Sequence, residues 1–331
     1  MLSFSQCVLQ WYDLHQRTFP WRMPSSQPSR PDPYGVWISE MMLQQTQAET
    51  VVPYFQAFMQ RFPNLSSLAH AAIHDVLLLW QGLGYYRRAH HVHQAAQQMQ
   101  ETGMPCTEAD WRRLPGIGPY TAAAISAIAF DQSAVAIDGN IRRILSRHAG
   151  LTLEGLSEKH TMERLQHQGK LYLPDQRVGD YTQALMDLGS RVCTPKSPTC
   201  ALCPVQDTCQ YPSIIPHVKK PSVPKPKRYG TVFIVQKDEE YVLLTQQNEH
   251  TLLKGLWGFP TTPWTSVAPD PDPLCHLMGI VEHHFTHFSL SLQVMKRETL
   301  ACEMPMWVPL SQLECYAFSN LMRKVQALAF P

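Results

Sequence analysis

From Phe4 to about Tyr211 apolar residues recur three and four positions apart, the spacing of helices that bury one face. Proline and glycine interrupt this pattern at short intervals, as at Pro63, Gly82, Gly84 and Pro115, which predicts a bundle of separate helices. Between His217 and Tyr229 the pattern lapses into K-K-P-S-V-P-K-P-K-R. Prolines there impose extended backbone and basic residues oppose collapse, so residues 218–229 read as a linker. Beyond it, Thr231–Gln236 and Tyr241–Gln246 are β-rich runs flanking a charged turn at Lys237–Glu240. Ala268–Pro273 reads as a surface loop, and a closing helix is expected near Asn320–Ala329. The expected architecture is multidomain, with an all-α region over residues 1–217, the linker, and a smaller α+β domain over residues 230–331. No internal repeat is visible.

The chain has 331 residues, more than a usual single core organises, which agrees with two domains. Its formal net charge is +1, and both sides of Val218 are near neutral, with 17 Lys+Arg against 17 Asp+Glu before it and 11 against 10 after it. Any contact with nucleic acid must then come from local placement of charge and not from a global field. No apolar run is long enough to span a membrane, and Met1–Gln10 lacks a basic start and a long apolar stretch. A soluble cytoplasmic protein without a membrane partner is expected.

Of the nine cysteines, Cys7, Cys106, Cys275, Cys302 and Cys315 are scattered, whereas Cys193, Cys200, Cys203 and Cys209 crowd into 17 residues. In a reducing compartment such crowding suggests a metal or cluster site and not disulfides. The spacing C-x6-C-x2-C-x5-C supplies four soft thiolates, suited to tetrahedral zinc or to an iron–sulfur cluster. Pro195, Pro198 and Pro204 stiffen the loop that carries them.

Upstream, L-P-G-I-G-P-Y-T-A (Leu114–Ala122) precedes an apolar helical run. Gly116 and Gly118 allow a tight turn that aims unpaired helix-start amides outward, where they can hold a phosphate without reading sequence. Farther on, Ile137-Asp138-Gly139-Asn140, followed by Arg142 and Arg143, puts a carboxylate at the edge of another helix. Glu40 lies among Trp37, Ile38, Met41, Met42 and Leu43, surroundings that raise a carboxyl pKa and keep its proton available.

The glycine- and proline-rich hairpin with its following aspartate resembles the helix–hairpin–helix DNA glycosylase superfamily, and the cysteine spacing is similar to that superfamily's [4Fe–4S] loop. W-I-S-E-M-M-L-Q-Q-T-Q (Trp37–Gln47) and G-L-G-Y-Y (Gly82–Tyr86) look like the adenine DNA glycosylases of the MutY family. The resemblance implies a [4Fe–4S] cofactor on the four cysteines and, as partner, double-stranded DNA containing adenine opposite 8-oxoguanine or guanine. It implies base excision repair by a monomer, nucleoid-associated in a bacterium. Glu40 is then the general acid for the base, and Asp138 the carboxylate that stabilises or captures the sugar cation. Tyr120 stands where glycosylases that also cut the backbone carry a Schiff-base lysine. Tyrosine forms no imine, so a monofunctional enzyme leaving an abasic site is expected. Asn140 would orient Asp138 or water. Gln44, Gln45 and Tyr85 match probing or wedge positions around an extruded base, while Arg22 and Gln183 match the adenine pocket.

The post-linker domain resembles a Nudix-like recognition domain, with its strand pair and G-L-W-G-F-P (Gly255–Pro260), but Thr261–Leu277 offers no R-E-x-x-E-E run to hold a catalytic metal. Recognition without phosphohydrolysis is therefore expected. Members of the family read 8-oxoguanine with a Phe-Ser-His loop; here it is Phe285-Thr286-His287, with the hydroxyl kept and a methyl added. His283, His284 and His287 also raise a metal reading, which alternating strand geometry and the lack of a nearby cysteine disfavour. Two rival functions remain from the sequence: an endonuclease-III-like glycosylase with lyase activity, and a non-catalytic lesion sensor.

Overall fold

The computed structural model describes residues 2–23, 30–211, 224–246, 253–270, 272–300 and 306–331, so the first half of the expected linker, residues 218–223, lies outside the described residues. Among the described residues eleven helices lead: α1 Phe4–His15, α2 Pro33–Leu43, α3 Ala48–Arg61, α4 Leu65–Ala69, α5 Ile73–Trp80, α6 Arg87–Thr102, α7 Glu108–Trp111, α8 Pro119–Phe130, α9 Gly139–His148, α10 Glu158–Tyr172 and α11 Val178–Arg191. After them come strands β1 Lys227–Lys237, β2 Tyr241–Gln246, β3 Trp257–Gly258, β4 His276–His284, β5 Ser289–Arg297 and β6 Met306–Pro309, then α12 Asn320–Ala329. None of these helices is long and apolar enough to cross a membrane.

Two compact units result: Met1–Ala69 with Gln94–Lys219, and His70–His93 with Lys220–Pro331. The structural division differs from the sequence reading, which kept residues 70–93 in the helical region. Hydrogen bonds explain the membership of this segment. His74 Nε2 lies 2.9 Å from the Cys315 carbonyl, His90 Nε2 3.0 Å from the Lys254 carbonyl, and the Phe318 amide donates to Gln81 Oε1 at 2.9 Å.

In the helical unit the starts of the helices are set by short polar residues. Ser3 forms a capping box with Gln6 on α1, Asp32 caps α2 with Pro33 at its first position, and Ser157 caps α10. Helix α8 is buried along Thr121–Ala129, and its alanines let neighbours approach closely. Helices α2 and α11 both pack on it. Gly179 sets the α11 approach: a Cβ there would meet the Ala127 carbonyl oxygen at 2.8 Å and Ile128 Cα at 3.0 Å. The contact brings the helix carrying Gln183 and Asp187 beside the one that starts at the glycine-rich hairpin.

In the second unit the sheet runs β3-β2-β1-β5-β4, with β6 also pairing β2. Strands β1 and β5 pair in parallel from Lys227↔Ser289 to Val235↔Arg297, and β4 and β5 form an antiparallel hairpin ending at His284↔Ser289. Alternate positions such as Val232, Ile234, Leu290, Leu292 and Val294 close over α12 residues Leu321 and Val325. The first strand starts at Lys227, inside the stretch read as linker. Pairing with β5 fixes those residues, helped by Lys227 on Glu282 at 3.3 Å and by the Arg228 guanidinium over the Phe288 ring at 4.7 Å.

Gly179→Ala is expected to destabilise the helical unit by about 1–3 kcal/mol, the cost of overpacking a backbone contact. Gly139→Ala, where a Cβ meets nothing within 4 Å, should stay within about 1 kcal/mol of the parent. Urea unfolding followed by circular dichroism distinguishes the two.

Candidate active site

Glu40 occupies the interior of α2, a helix buried from Tyr34 to Met42, and is itself only 4% exposed. Burial pushes its carboxyl up to about 7. The Tyr120 hydroxyl, donating to Oε2 at 3.0 Å, pulls the other way, Asp138 adds to the rise, and the Arg22 guanidinium opposes it. Tyr120 is held in turn by the start of α8, where Gly118 is the N-cap and Pro119 the first helical residue. Burial and the nearby carboxylates push the Tyr120 phenol well above its ordinary value, so it remains a donor to Glu40.

Asp138 is the N-cap of α9. Its Oδ1 accepts the Ile141 amide at 2.7 Å and its Oδ2 accepts Asn140 Nδ2 at 3.0 Å, so both oxygens are fixed and Asn140 orients the carboxylate. Asn140 is packed tightly: a Cβ on Gly189 would lie 2.5 Å from its Cβ. Arg143, which sequence reading noted only as a neighbour, donates to Asn140 Oδ1 at 2.8 Å and to the Gly189 carbonyl at 2.7 Å. Thus one unit brings together two carboxyls in unlike settings, one dry and one held at a helix start, with a phenol between them and the hairpin.

Gly116 has φ +74°, a turn conformation that favours glycine, and both hairpin glycines are exposed. Gln44 donates to Thr121 Oγ1 at 3.2 Å, tying the end of α2 to α8, while the exposed Gln45 sits at φ +57°. Gln183 is buried on α11, its amide donating to the Gly179 carbonyl at 3.3 Å. Arg22, expected to meet a base, directs Nη1 to Asp187 Oδ2 at 2.7 Å and Nη2 to Asp187 Oδ1 at 3.1 Å. Sequence reading missed Asp187. A carboxylate flanked by Leu185 and Leu188 on the buried face of α11 was the available signal, since such a charge demands a partner.

The four cysteines leave α11 on a loop stiffened by turns at Cys200–Leu202 and Gln206–Thr208. All four are free, half-buried thiols. Burial pushes the Cys203 thiol up to about 11, and Cys193, Cys209 and Cys200 all add to that rise, so the four lie within electrostatic reach of one another. Arg147 donates to Cys193 Sγ at 3.4 Å and to the Thr194 and Pro195 carbonyls at 2.8 and 2.9 Å, which places a cation against the ligand set. Among the described residues no three His, Cys, Asp or Glu side chains converge as one ion requires. A four-thiol set with a guanidinium beside it fits an anionic cluster.

Tyr85 and the Phe285–His287 loop belong to the second unit. Tyr85 follows Gly82 and Gly84, sits at φ +49° and is 44% exposed. Its hydroxyl and that of Thr286 share a hydrogen bond of 2.9 Å. The loop is the turn of the β4–β5 hairpin, closed by the Phe285 amide on the Phe288 carbonyl at 2.9 Å. Phe285 packs on Phe288 and His283, while Thr286 and His287 face outward.

A protonatable carboxyl in a dry helix, a carboxylate fixed at a helix start and an exposed glycine-rich hairpin are the features of a glycosylase of the helix–hairpin–helix class. Residues 38–170 match the HhH-GPD superfamily of base excision DNA repair proteins, and residues 231–328 match the NUDIX domain. An adenine DNA glycosylase of Buchnera aphidicola subsp. Schizaphis graminum is 33% identical over 309 residues, covering 87% of this chain and 86% of that protein. One from Homo sapiens is 31% identical, covering 98% and 73% respectively. A solved thermostable thymine-DNA glycosylase superposes with a TM-score of 0.56 at 26% identity, over 63% of this chain and 94% of its own. The chain belongs to the adenine DNA glycosylase family.

Because Glu40 keeps its proton in the folded chain up to about pH 7 while an unfolded glutamate ionises near 4.3, folding binds an extra proton between those values. Stability contributed by this group is therefore lost as pH rises through that window. Glu40→Gln removes the effect. Its stability relative to the parent should improve on going from pH 4 to pH 8 by an amount on the order of 3 kcal/mol, read from urea midpoints at each pH.

Proposed function

We propose that the chain hydrolyses the N-glycosidic bond of adenine mispaired with 8-oxoguanine or guanine in duplex DNA and leaves an abasic site. The observation that carries this reading is the buried Glu40 carboxyl, raised to about 7 and steadied by Tyr120, beside the fixed Asp138. Protonated Glu40 gives its proton to a ring nitrogen of the extruded adenine. The C1′–N bond then breaks with its electron pair leaving on the neutral base. Asp138 meets the positive charge at C1′, and water completes the exchange, its oxygen joining the sugar and its proton passing to Glu40. Asn140 keeps Asp138 aimed, and the Gly116–Gly118 hairpin holds a backbone phosphate.

Tyr120 offers no amine, so the strand is not cut through an imine. Gln44 and Gln45 probe or wedge the duplex that the base leaves, and Arg22 and Gln183 line the adenine pocket. Tyr85, with the Thr286 hydroxyl bound to it, would contact the base opposite. Cys193, Cys200, Cys203 and Cys209 would hold a [4Fe–4S] cluster, whose contribution is to tie the loop that packs against α9 and α11. One chain carries every one of these groups, so a monomer suffices.

Single-turnover release of adenine from duplexes pairing it with 8-oxoguanine, guanine or thymine tests the reading. Release should be fastest opposite 8-oxoguanine and fall roughly 10²–10⁴-fold in Glu40→Gln. A borohydride-trapped covalent adduct on damaged-pyrimidine DNA would overturn it in favour of a lyase. Thr286→Ser, which keeps the hydroxyl, should raise the preference for 8-oxoguanine over guanine or leave it unchanged; a marked loss contradicts the role given to Thr286.

A further inference from the structure

Asp187 is fully buried and gathers two arginines. Arg17 donates through its backbone amide to Oδ2 at 3.2 Å and through Nε to Oδ1 at 2.8 Å, and Arg22 adds both terminal nitrogens. The Arg22 side chain is only 8% exposed. It lies close enough to Glu40 for the two to interact electrostatically in both directions. This arrangement sets two demands against each other. A guanidinium in a dry site is driven to pair with any carboxylate in reach, and a direct pair with Glu40 would ionise the group that has to deliver a proton.

We propose that Asp187 is a positioning residue: by engaging both terminal nitrogens of Arg22 it keeps that guanidinium from pairing with Glu40, which therefore stays able to carry a proton to the departing base. The proposal rests on the glycosylase reading above. The groups facing Glu40 are Tyr120 from α8, Asp138 from the start of α9, and Arg22 from the segment after α1. Arg22 is faced by Asp187 from α11, Tyr12 from α1 and Glu40 from α2. Of these, Asp187 bonds Arg22 bidentately, and it can do so because Leu185 and Leu188 bury the face of α11 from which it projects.

The Glu40 carboxyl at about 7 places the alkaline limb of the parent's single-turnover rate near that pH, on duplexes pairing adenine with 8-oxoguanine and using the full cluster-loaded chain. In Asp187→Asn the freed guanidinium should move that limb about one unit to lower pH. The variant then loses about tenfold relative to the parent at pH 8, with rates within about threefold at pH 5.5. Asp187→Glu should return the limb toward its original position. Because Asp187→Asn alone strips a buried charge pair and can unfold, the double variant Arg22→Gln, Asp187→Asn is measured beside it; with no guanidinium left at position 22, its limb should not move down. A second readout does not need turnover: the pH dependence of the stability difference between each variant and its Glu40→Gln counterpart should shift to lower pH in Asp187→Asn only.

A parent that releases no adenine defeats the glycosylase reading itself, and the stability readout still decides the positioning role. An active parent whose Asp187→Asn variant is slowed equally at every pH, with an unmoved stability profile, overturns the proposal and leaves Asp187 a structural anchor. A downward shift that persists in the double variant overturns it as well.

Discussion

A carboxyl kept out of water inside a helix is the constraint on which the helical unit depends. Glu40 holds its proton because Trp37, Ile38, Met41 and Met42 are fully buried around it, and that dryness raises the cost of every other charge nearby. Each neighbouring charge is accordingly spoken for. Asp138 spends itself on an amide and on Asn140, and Arg22 on Asp187. The helical scaffold supplies the dryness by close approach: α8 lets α2 and α11 reach it because its packing face is built of alanine, and α11 completes the fit with glycine at 179.

Much of this was legible in the residues. The 3.6 period located the bundle, the change of period located the sheet, and the closing helix falls on Asn320–Ala329 as read. Glu40 could be read as buried because Trp37, Ile38, Met41, Met42 and Leu43 flank it, and Asp138 as standing at a helix start because aspartate is a residue whose side chain caps the first turn. Contacts between distant parts of the sequence were not legible. The Asp187 pairing joins α11 to residues 165 and 170 positions earlier, and no local period announces it. The placement of residues 70–93 with the C-terminal unit has the same origin, since its bonds run to Lys254, Cys315 and Phe318. The early start of β1 likewise needed β5 to be known first, as proline-flanked basic residues look like linker until a parallel partner extends them.

The threonine in the Phe285–His287 loop shows how a local departure is absorbed. Its hydroxyl is already engaged by Tyr85, and the residue stands at the exposed tip of a hairpin turn, where an added methyl displaces no packed neighbour. The aromatic stacking of Phe285, Phe288 and Trp264 beneath it keeps the turn in shape whichever hydroxyl residue occupies its tip.

Tyr85 carries a further consequence through its backbone. A bulky residue at φ +49° costs on the order of 1–3 kcal/mol, a sum that folding meets before any ligand arrives. An exposed ring on a free loop would have to be immobilised on contact, at about 0.5–1.5 kcal/mol for the side chain alone. Here the left-handed backbone and the bond to Thr286 have already removed that freedom. The strain is met once, in folding, and what it leaves is an ordered ring; a glycine at 85 would relax the backbone but give up both the ring and its order.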